Sequence, residues 1–320
     1  MSHKPARNIN GKLLSIIVPC FNEELVIEET NKRLLATLTK QEFTLEILYI
    51  NDGSTDRTEH ILNNLNTKNP LCKTLHLSRN FGHQYAVSAG LEYAKGDIVA
   101  IIDADLQDPP EVIFEMLEKW KDGVDVAYGQ RSERLGESYF KLTTAKYFYK
   151  ILNKLSDTEI PRNTGDFRLM DRAVVDAVCN MPERDRFLRG MISWTGFNQR
   201  PVIYKRHERF AGESKYPVTK MLRFATDGIM SFSNKPLRLA IWLGVSVSFL
   251  ALLGIIYALA LRLLTDNWVS GWTFLAVTIL FMGGIQLMFL GLIGEYIGRI
   301  YQASKGRPMY LIKDKRGFDH

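Results

Sequence analysis

The chain has 320 residues and a formal charge of +6, with a sequence pI of about 9.1; it is long enough for one large domain with added elements, or for two domains. Its three cysteines, Cys20, Cys72 and Cys179, lack metal-ligand spacing, which argues against a cysteine-held metal; their odd count suggests a reducing compartment and small buried residues. The basic excess fits nucleic acid, anionic lipid or a phosphate-bearing substrate and does not choose among them.

Met1 to Lys12 is polar with no apolar core, so no signal peptide is expected. Leu13–Val18 is an apolar run closed by Pro19 and reads as a first buried strand. Apolar residues at helical spacing from Glu23 to Leu38 (Val26, Ile27, Leu34, Leu35, Leu38) predict a helix. A second strand, Leu45–Ile50, ends in Asn51-Asp52-Gly53-Ser54-Thr55-Asp56, where Asp-Gly marks a turn and the Ser, Thr and Asp can cap the next helix. That helix runs to about Leu65, followed by a strand at Lys73–Leu77 and a helix from Gly82 to Ala94. The next strand, Ile98–Ile102, ends abruptly in Asp103, Asp105, Gln107 and Asp108. Taken alone, this end reads either as a site for Mg²⁺ or Mn²⁺ shared with substrate phosphates or as an acidic turn ahead of a helix begun by Pro109 and Pro110. A helix near Glu111–Trp120 and a strand at Val124–Gly129 complete the pattern. Strands alternating with helices predict an α/β domain around a mostly parallel sheet covered on both faces.

Beyond it, Glu137–Leu155 has lysines at positions 146, 150 and 154 opposite an apolar face, and so reads as an interfacial helix or an ordinary surface helix. Tyr216–Ser233 is a second amphipathic candidate. No charged residue occurs from Leu239 to Leu261 or from Asn267 to Gly294, and each run exceeds the roughly 20 apolar residues that a membrane span needs. Basic residues flank the pair (Lys220, Arg223, Lys235 and Arg238 before; Arg299, Lys305, Arg307, Lys313, Lys315 and Arg316 after), while the loop between has only Arg262. Both termini are therefore expected on the cytoplasmic side. Glu295 and Arg299 have i, i+4 spacing, and Gly283, Gly284, Gly291 and Gly294 permit the close helix packing of a homo-oligomer. The boundaries drawn are a catalytic domain at 1–215, an amphipathic helix at 216–235, a two-helix hairpin at 236–300 and a basic tail at 301–320.

In an open α/β sheet, carboxyl ends of parallel strands share one edge, so residues 19–23, 52–54 and 103–107 should converge there. No Gly-x-Gly-x-x-Gly follows the first strand, and no P-loop sequence occurs. Ile-Ile-Val-Pro-Cys-Phe-Asn-Glu (16–23), Tyr-Ile-Asn-Asp-Gly-Ser-Thr-Asp (49–56) and Asp-Ala-Asp-Leu-Gln-Asp-Pro-Pro (103–110) resemble the signature segments of family 2 glycosyltransferases. With Ser-Arg-Asn-Phe-Gly-His-Gln (78–84), Thr-Gly-Asp-Phe-Arg-Leu (164–169), Gly-Glu-Ser-Lys-Tyr (212–216) and the two C-terminal spans, the chain resembles the polyisoprenyl-phosphate branch, including dolichol-phosphate mannose synthases and bacterial GtrB-type bactoprenol glucosyltransferases.

That resemblance implies a Rossmann-like GT-A fold and a cytoplasmic-face, inner-membrane enzyme. Its partners would be a nucleotide sugar, UDP-glucose, and undecaprenyl or another polyprenyl phosphate, with no nucleic acid. It assigns Pro19, Asn22, Glu23 and Asp52 to the nucleoside, and Asp103, Asp105 and Gln107 to Mg²⁺ or Mn²⁺. Asp166 matches the proposed base, expected here to orient the acceptor or take a residual proton. Arg131, Arg168, Arg209 and Lys215 are candidates to screen the acceptor phosphate against the donor diphosphate. His83 lies within a matching motif and is read as structural. Competing expectations are another donor sugar, such as mannose, GlcNAc or modified arabinose, a processive polysaccharide synthase, or an inactive scaffold. Two spans are few for a translocation channel, and no Gln-x-x-Arg-Trp segment occurs.

Overall fold

The computed structural model describes residues 6–39, 41–132, 164–184, 186–206, 235–264 and 271–318. The amphipathic helices expected at Glu137–Leu155 and Tyr216–Ser233, together with Arg209 and Lys215, lie outside these residues. The chain divides into two units, one containing residues 1–150, 158–221 and 307–320 and the other residues 151–157 and 222–306.

The first unit is α/β. In chain order, β1 (Leu13–Cys20), α1 (Ile27–Leu38), β2 (Thr44–Asn51), α2 (Thr58–Lys68), β3 (Cys72–Leu77), α3 (His83–Tyr93), β4 (Ile98–Ile101), α4 (Val112–Lys121) and β5 (Val126–Arg131) follow the predicted alternation within a few residues. Then come β6 (Thr164–Asp171), α5 (Arg172–Cys179), α6 (Leu188–Trp194) and β7 (Gln199–Tyr204). The sheet has eight strands, the last of them β8 (Ile312–Arg316), in the order β7-β5-β6-β4-β1-β2-β3-β8. Strands β6 and β8 run against the other six.

Continuous apolar runs form the central strands because both faces are covered. Ile16, Val18, Ile47 and Tyr49 meet Leu34, Leu62 and Met116 in one core cluster, on the face carrying α1, α2 and α4. Ile17 turns the other way, onto α3, where a Cβ on Gly90 would collide with its side chain. Each fully buried aliphatic side chain of this kind contributes about 1.5–3 kcal/mol. Cys20 and Cys72 are buried as expected.

One buried polar knot ties three segments together. Glu46 on β2 accepts hydrogen bonds from Ser15 Oγ at 2.5 Å, Lys73 Nζ at 2.7 Å and the Lys95 backbone N–H at 2.8 Å. Burial pushes its pKa up, but these donors and the Lys73 charge win and hold it below the usual glutamate value. A depressed carboxyl contributes stability above its unfolded pKa, lost as pH falls through the folded value. Glu46→Gln should therefore cost about 1–3 kcal/mol near pH 7. Thermal melts at stepped pH should show the gap to wild type narrowing below about pH 4.5; a gap constant with pH would refute the ionic account.

The expected basic tail at 301–320 needs correction. Strand β8 completes the sheet edge, pairing Leu77 with Ile312 and Thr74 with Arg316. Phe318 packs edge-on to Tyr93, Lys313 pairs with Glu59 at 3.0 Å, and Tyr310 Oη hydrogen-bonds Glu92. Alternating side chains let Ile312 and Asp314 sit half-buried while Lys313 and Lys315 face solvent, and charged residues guard the exposed edge. Basic composition alone concealed this strand.

The second unit contains α7 (Lys235–Leu264) and α8 (Trp272–Ser304), of 30 and 33 residues. Within α8, Phe281–Ser304 is long and apolar enough to cross a bilayer, while Ala240–Gly254 in α7 is a shorter apolar stretch. Trp242, Phe249 and Tyr257 on α7, and Phe281, Leu287 and Leu290 on α8, are exposed. Such apolar surface is unusual in water. The Glu295–Arg299 pair forms at 3.1 Å.

Candidate active site

Strand register sets the site. Pro19 pairs with Ile50 and Ile17 with Ile101, and the Asp52 backbone N–H donates to the Cys20 carbonyl at 2.9 Å. The ends of β1, β2 and β4 thus open onto one edge. Because β6 is antiparallel to β4, its first residues, Thr164–Asp166, arrive at that same edge. Convergence of segments 19–23, 52–54 and 103–107 is as expected.

The loops after β1 and β2 are latched together. The Asn22 backbone N–H donates to Ser54 Oγ at 3.0 Å, and Asn22 Oδ1 accepts from the Thr55 N–H at 2.8 Å. The Glu23 N–H donates to Thr58 Oγ1 at 2.9 Å. Asn22 adopts a left-handed φ of 56°, which asparagine tolerates, and the exposed Phe21 ring stands beside it. Buried Asp52 accepts from the backbone N–H groups of Phe81 and Gly82 at 2.7 and 2.9 Å. Burial raises its carboxyl despite those donors. Asp52 therefore also fixes the 79–82 turn, against which only a glycine fits at position 53, where φ is +67°.

After β4 the chain bends sharply. Leu106 has φ 58°, a costly conformation for a bulky residue, of the kind that concentrates at functional sites. Thr30 Oγ1 of α1 holds the Ala104 carbonyl at 2.7 Å, and the Gln107 N–H donates to Asp105 Oδ1 at 3.2 Å. Asp103 and Gln107 are half-buried, whereas Asp105 and Asp108 are buried. Burial, reinforced by Asp108, Asp166 and Asp105, raises Asp103 to about 6 although His83 opposes the rise.

Asp166 faces this acidic group with its own set of partners. Arg189 Nε donates to Oδ1 at 2.8 Å, while Gln84 Nε2 at 3.0 Å and His83 Nε2 at 3.2 Å approach Oδ2. Burial pushes the Asp166 carboxyl up, but Arg189 and His83 hold it well below the usual aspartate value. His83 loses by partial burial yet rises to about 9 through its Asp166 hydrogen bond and the Asp103 charge 3.8 Å away. His83 is thus part of the cluster, not merely structural. The Gly82 cap at the start of α3 aims it there, a placement that its motif contained but spacing could not reveal.

Arg168 requires a second correction. It is 4% exposed, and its guanidinium donates to the carbonyls of Gly165 at 3.1 Å and Asp166 at 3.3 Å. Burial lowers its pKa to about 10. It braces the Asp166 backbone from inside the protein and is not presented to a phosphate. Arg131, near Gly165 and Tyr204, remains at the edge. Two cations absent from the sequence reading, Arg189 and Arg206, stand by the carboxylates instead; Arg206 Nε lies 3.3 Å from Asp108 Oδ1. Neither belongs to a local pattern.

Asp103, Asp105 and Gln107 offer hard oxygen donors, and the like-charge pressure on Asp103 is of the kind a cation relieves. Among the described residues no three His, Cys, Asp or Glu side chains form a complete cage. An incomplete oxygen set suits an ion whose remaining ligands come from a substrate diphosphate.

Residues 15–179 match the glycosyl transferase family 2 model, and residues 235–300 match the GtrB C-terminal hairpin. The chain belongs to glycosyl transferase family 2. An uncharacterized glycosyltransferase, YkcC, from Bacillus subtilis (strain 168) is 49% identical, over 96% of this chain and 95% of that protein. The bactoprenol glucosyl transferase of Shigella phage SfV is 44% identical (95% and 99% covered), and the prophage bactoprenol glucosyl transferase homolog of Escherichia coli (strain K12) is 43% identical (94% and 98%). A solved mannosyltransferase, PcManGT from Pyrobaculum calidifontis in complex with GDP-Man and Mn²⁺, superimposes with a TM-score of 0.46 at 18% identity, covering 82% of this chain and 84% of that one. This family 2 enzyme is a glycosyltransferase, with the GT-A, Rossmann-like α/β fold expected.

Proposed function

We propose that the enzyme transfers one glucose from UDP-glucose to a polyprenyl phosphate, undecaprenyl phosphate in a bacterial membrane, by an inverting single displacement. The observation that carries this is the meeting, at one sheet edge, of Asp103 and Asp105 with the His83–Asp166–Arg189 cluster. An acidic pole suits a metal diphosphate, and an adjoining cationic pole suits a second phosphate. Near-full-length similarity to bactoprenol glucosyl transferases, and the matching C-terminal hairpin, support glucose and a lipid acceptor.

In this reading Pro19, Asn22, Glu23 and Asp52 line the nucleoside subsite, with Phe21 offering a stacking face. Asp103, Asp105 and Gln107 would hold Mg²⁺ or Mn²⁺, which would supply charge neutralisation to a diphosphate leaving group. Arg189, with Arg131, Arg209 and Lys215, orients the acceptor phosphate. That phosphate has a second pKa near 6 by analogy with other monoesters, so at neutral pH it is mostly a dianion and needs little deprotonation. Asp166, held ionised by its neighbours, positions Arg189 and His83 instead of acting as an obligatory base. Helices α7 and α8 both span the membrane, with the catalytic domain and both termini cytoplasmic.

The test is transfer by full-length protein from labelled UDP-glucose, UDP-GlcNAc and GDP-mannose to polyprenyl phosphate, with and without Mn²⁺. A metal-dependent, lipid-soluble glucosyl monophosphodiester is expected. Label in long polymer would favour a synthase, and no incorporation from any donor would favour a scaffold.

A further inference from the structure

We propose that Arg206 is a resident counter-cation of the acidic pole: it neutralises Asp105 and Asp108 until a divalent cation takes that place, and then turns to the nucleoside diphosphate. This rests on the metal-diphosphate reading above. Arg206 follows β7, and its guanidinium lies 3.3 Å from Asp108 and 4.0 Å from Asp105. The longer contact is beyond hydrogen-bond range and can be given up readily. Asp108 is 1% exposed and also accepts from Tyr204 Oη, so it forms a fixed seat for the arginine.

Hydrogen-bond accounting points the same way. Among the described residues, four buried side-chain atoms have no hydrogen-bond partner; one is Thr74 Oγ1, and the other three, Asp108 Oδ2, Arg131 Nε and Arg206 Nε, belong to this acidic pole and its edge cations. Buried polar groups are seldom left so, and each exception calls for an explanation. A carboxylate oxygen lacking a donor needs a cation or a donor, whereas Arg131 Nε lacks an acceptor and Arg206 Nε sits 3.3 Å from the Asp108 carboxylate without a hydrogen bond, so both stay open to a further anion. A metal diphosphate brings both charges at once. Arg206 was not among the cations expected from sequence, and its proposed role is direct charge pairing, first with the carboxylates and then with the diphosphate.

Mn²⁺ and UDP binding by the full-length protein in lipid nanodiscs provide the test, read by calorimetry and by Mn²⁺ spin resonance, with melting curves to monitor folding. Removing a positive charge about 4 Å from a metal ligand should tighten Mn²⁺ binding roughly tenfold in Arg206→Gln without nucleotide. In saturating Mn²⁺, the same variant should bind UDP roughly tenfold more weakly. Opposite signs are what a merely structural arginine would not give. Unchanged or weaker Mn²⁺ binding by a folded glutamine variant overturns the inference. Should that variant melt early, Arg206→Lys serves alone: it keeps the charge but loses the fork, so UDP binding falls while Mn²⁺ binding holds, and equal loss of both overturns the idea. Failure of the metal reading itself looks different, because wild type and Asp105→Asn would then bind Mn²⁺ equally poorly.

Discussion

Asp105→Ala is expected to lower sugar transfer by a factor on the order of 10²–10³, the scale of losing a charge-stabilising contact to a transition state. The side chain is buried at the bend after β4, its Oδ1 already accepting from the Gln107 N–H, so its direction is set by the backbone. Left-handed Leu106 holds that bend at some cost in strain. Alanine should not unfold the protein, since it removes one of the carboxylates that raise Asp103. Melting temperature without metal should therefore stay level or rise, while residual transfer should need more Mn²⁺. Labelled-product formation across a Mn²⁺ titration, paired with melting curves, measures both. Transfer within a few-fold of wild type at every Mn²⁺ concentration would sink the metal assignment.

Asp166→Asn should be nearly as damaging, but through the acceptor. Its carboxylate gathers Arg189, Gln84 and His83, and Arg168 braces its backbone from behind. Asparagine keeps the shape and loses the charge, leaving a cluster of cations with one fewer counter-charge; breaking such a pair costs about 3–5 kcal/mol when buried. We expect a fall of about 10²-fold in kcat/KM for polyprenyl phosphate, carried mostly by a higher KM. The acid limb of the pH profile should stay near the second phosphate pKa, about 6, in wild type and variant alike. A general base would behave otherwise: the wild-type limb would report Asp166 and vanish in the variant. With Asp166 held well below the usual aspartate value by Arg189 and His83, a limb at neutral pH is expected from the acceptor phosphate and not from that carboxyl.

Periodicity alone located β1 to β5 and the helices between them, because each element's apolar positions answer to a local rule of spacing and burial. Acids at the ends of β2 and β4 were likewise legible, since parallel strands deliver their carboxyl ends to one edge whatever the side chains. Elements placed by distant partners leave no such local trace. Strand β8 is short and highly charged, and it is a strand only because β3 offers an unpaired edge. The reversed direction of β6, fixed by pairing with β4 and β5, turns Asp166 towards Asp103 and sends Arg168 into the interior. His83, Arg189 and Arg206 carry no pattern of their own; their roles come from the carboxylates they meet, and His83 and Asp166 stand 83 residues apart along the chain. The sequence by itself determined the family, the strand order of appearance and the acidic bend, because these depend on local chemistry. Only the tertiary structure decided which cations face that bend, because an electrostatic partner is set by distance in space and not by separation along the chain.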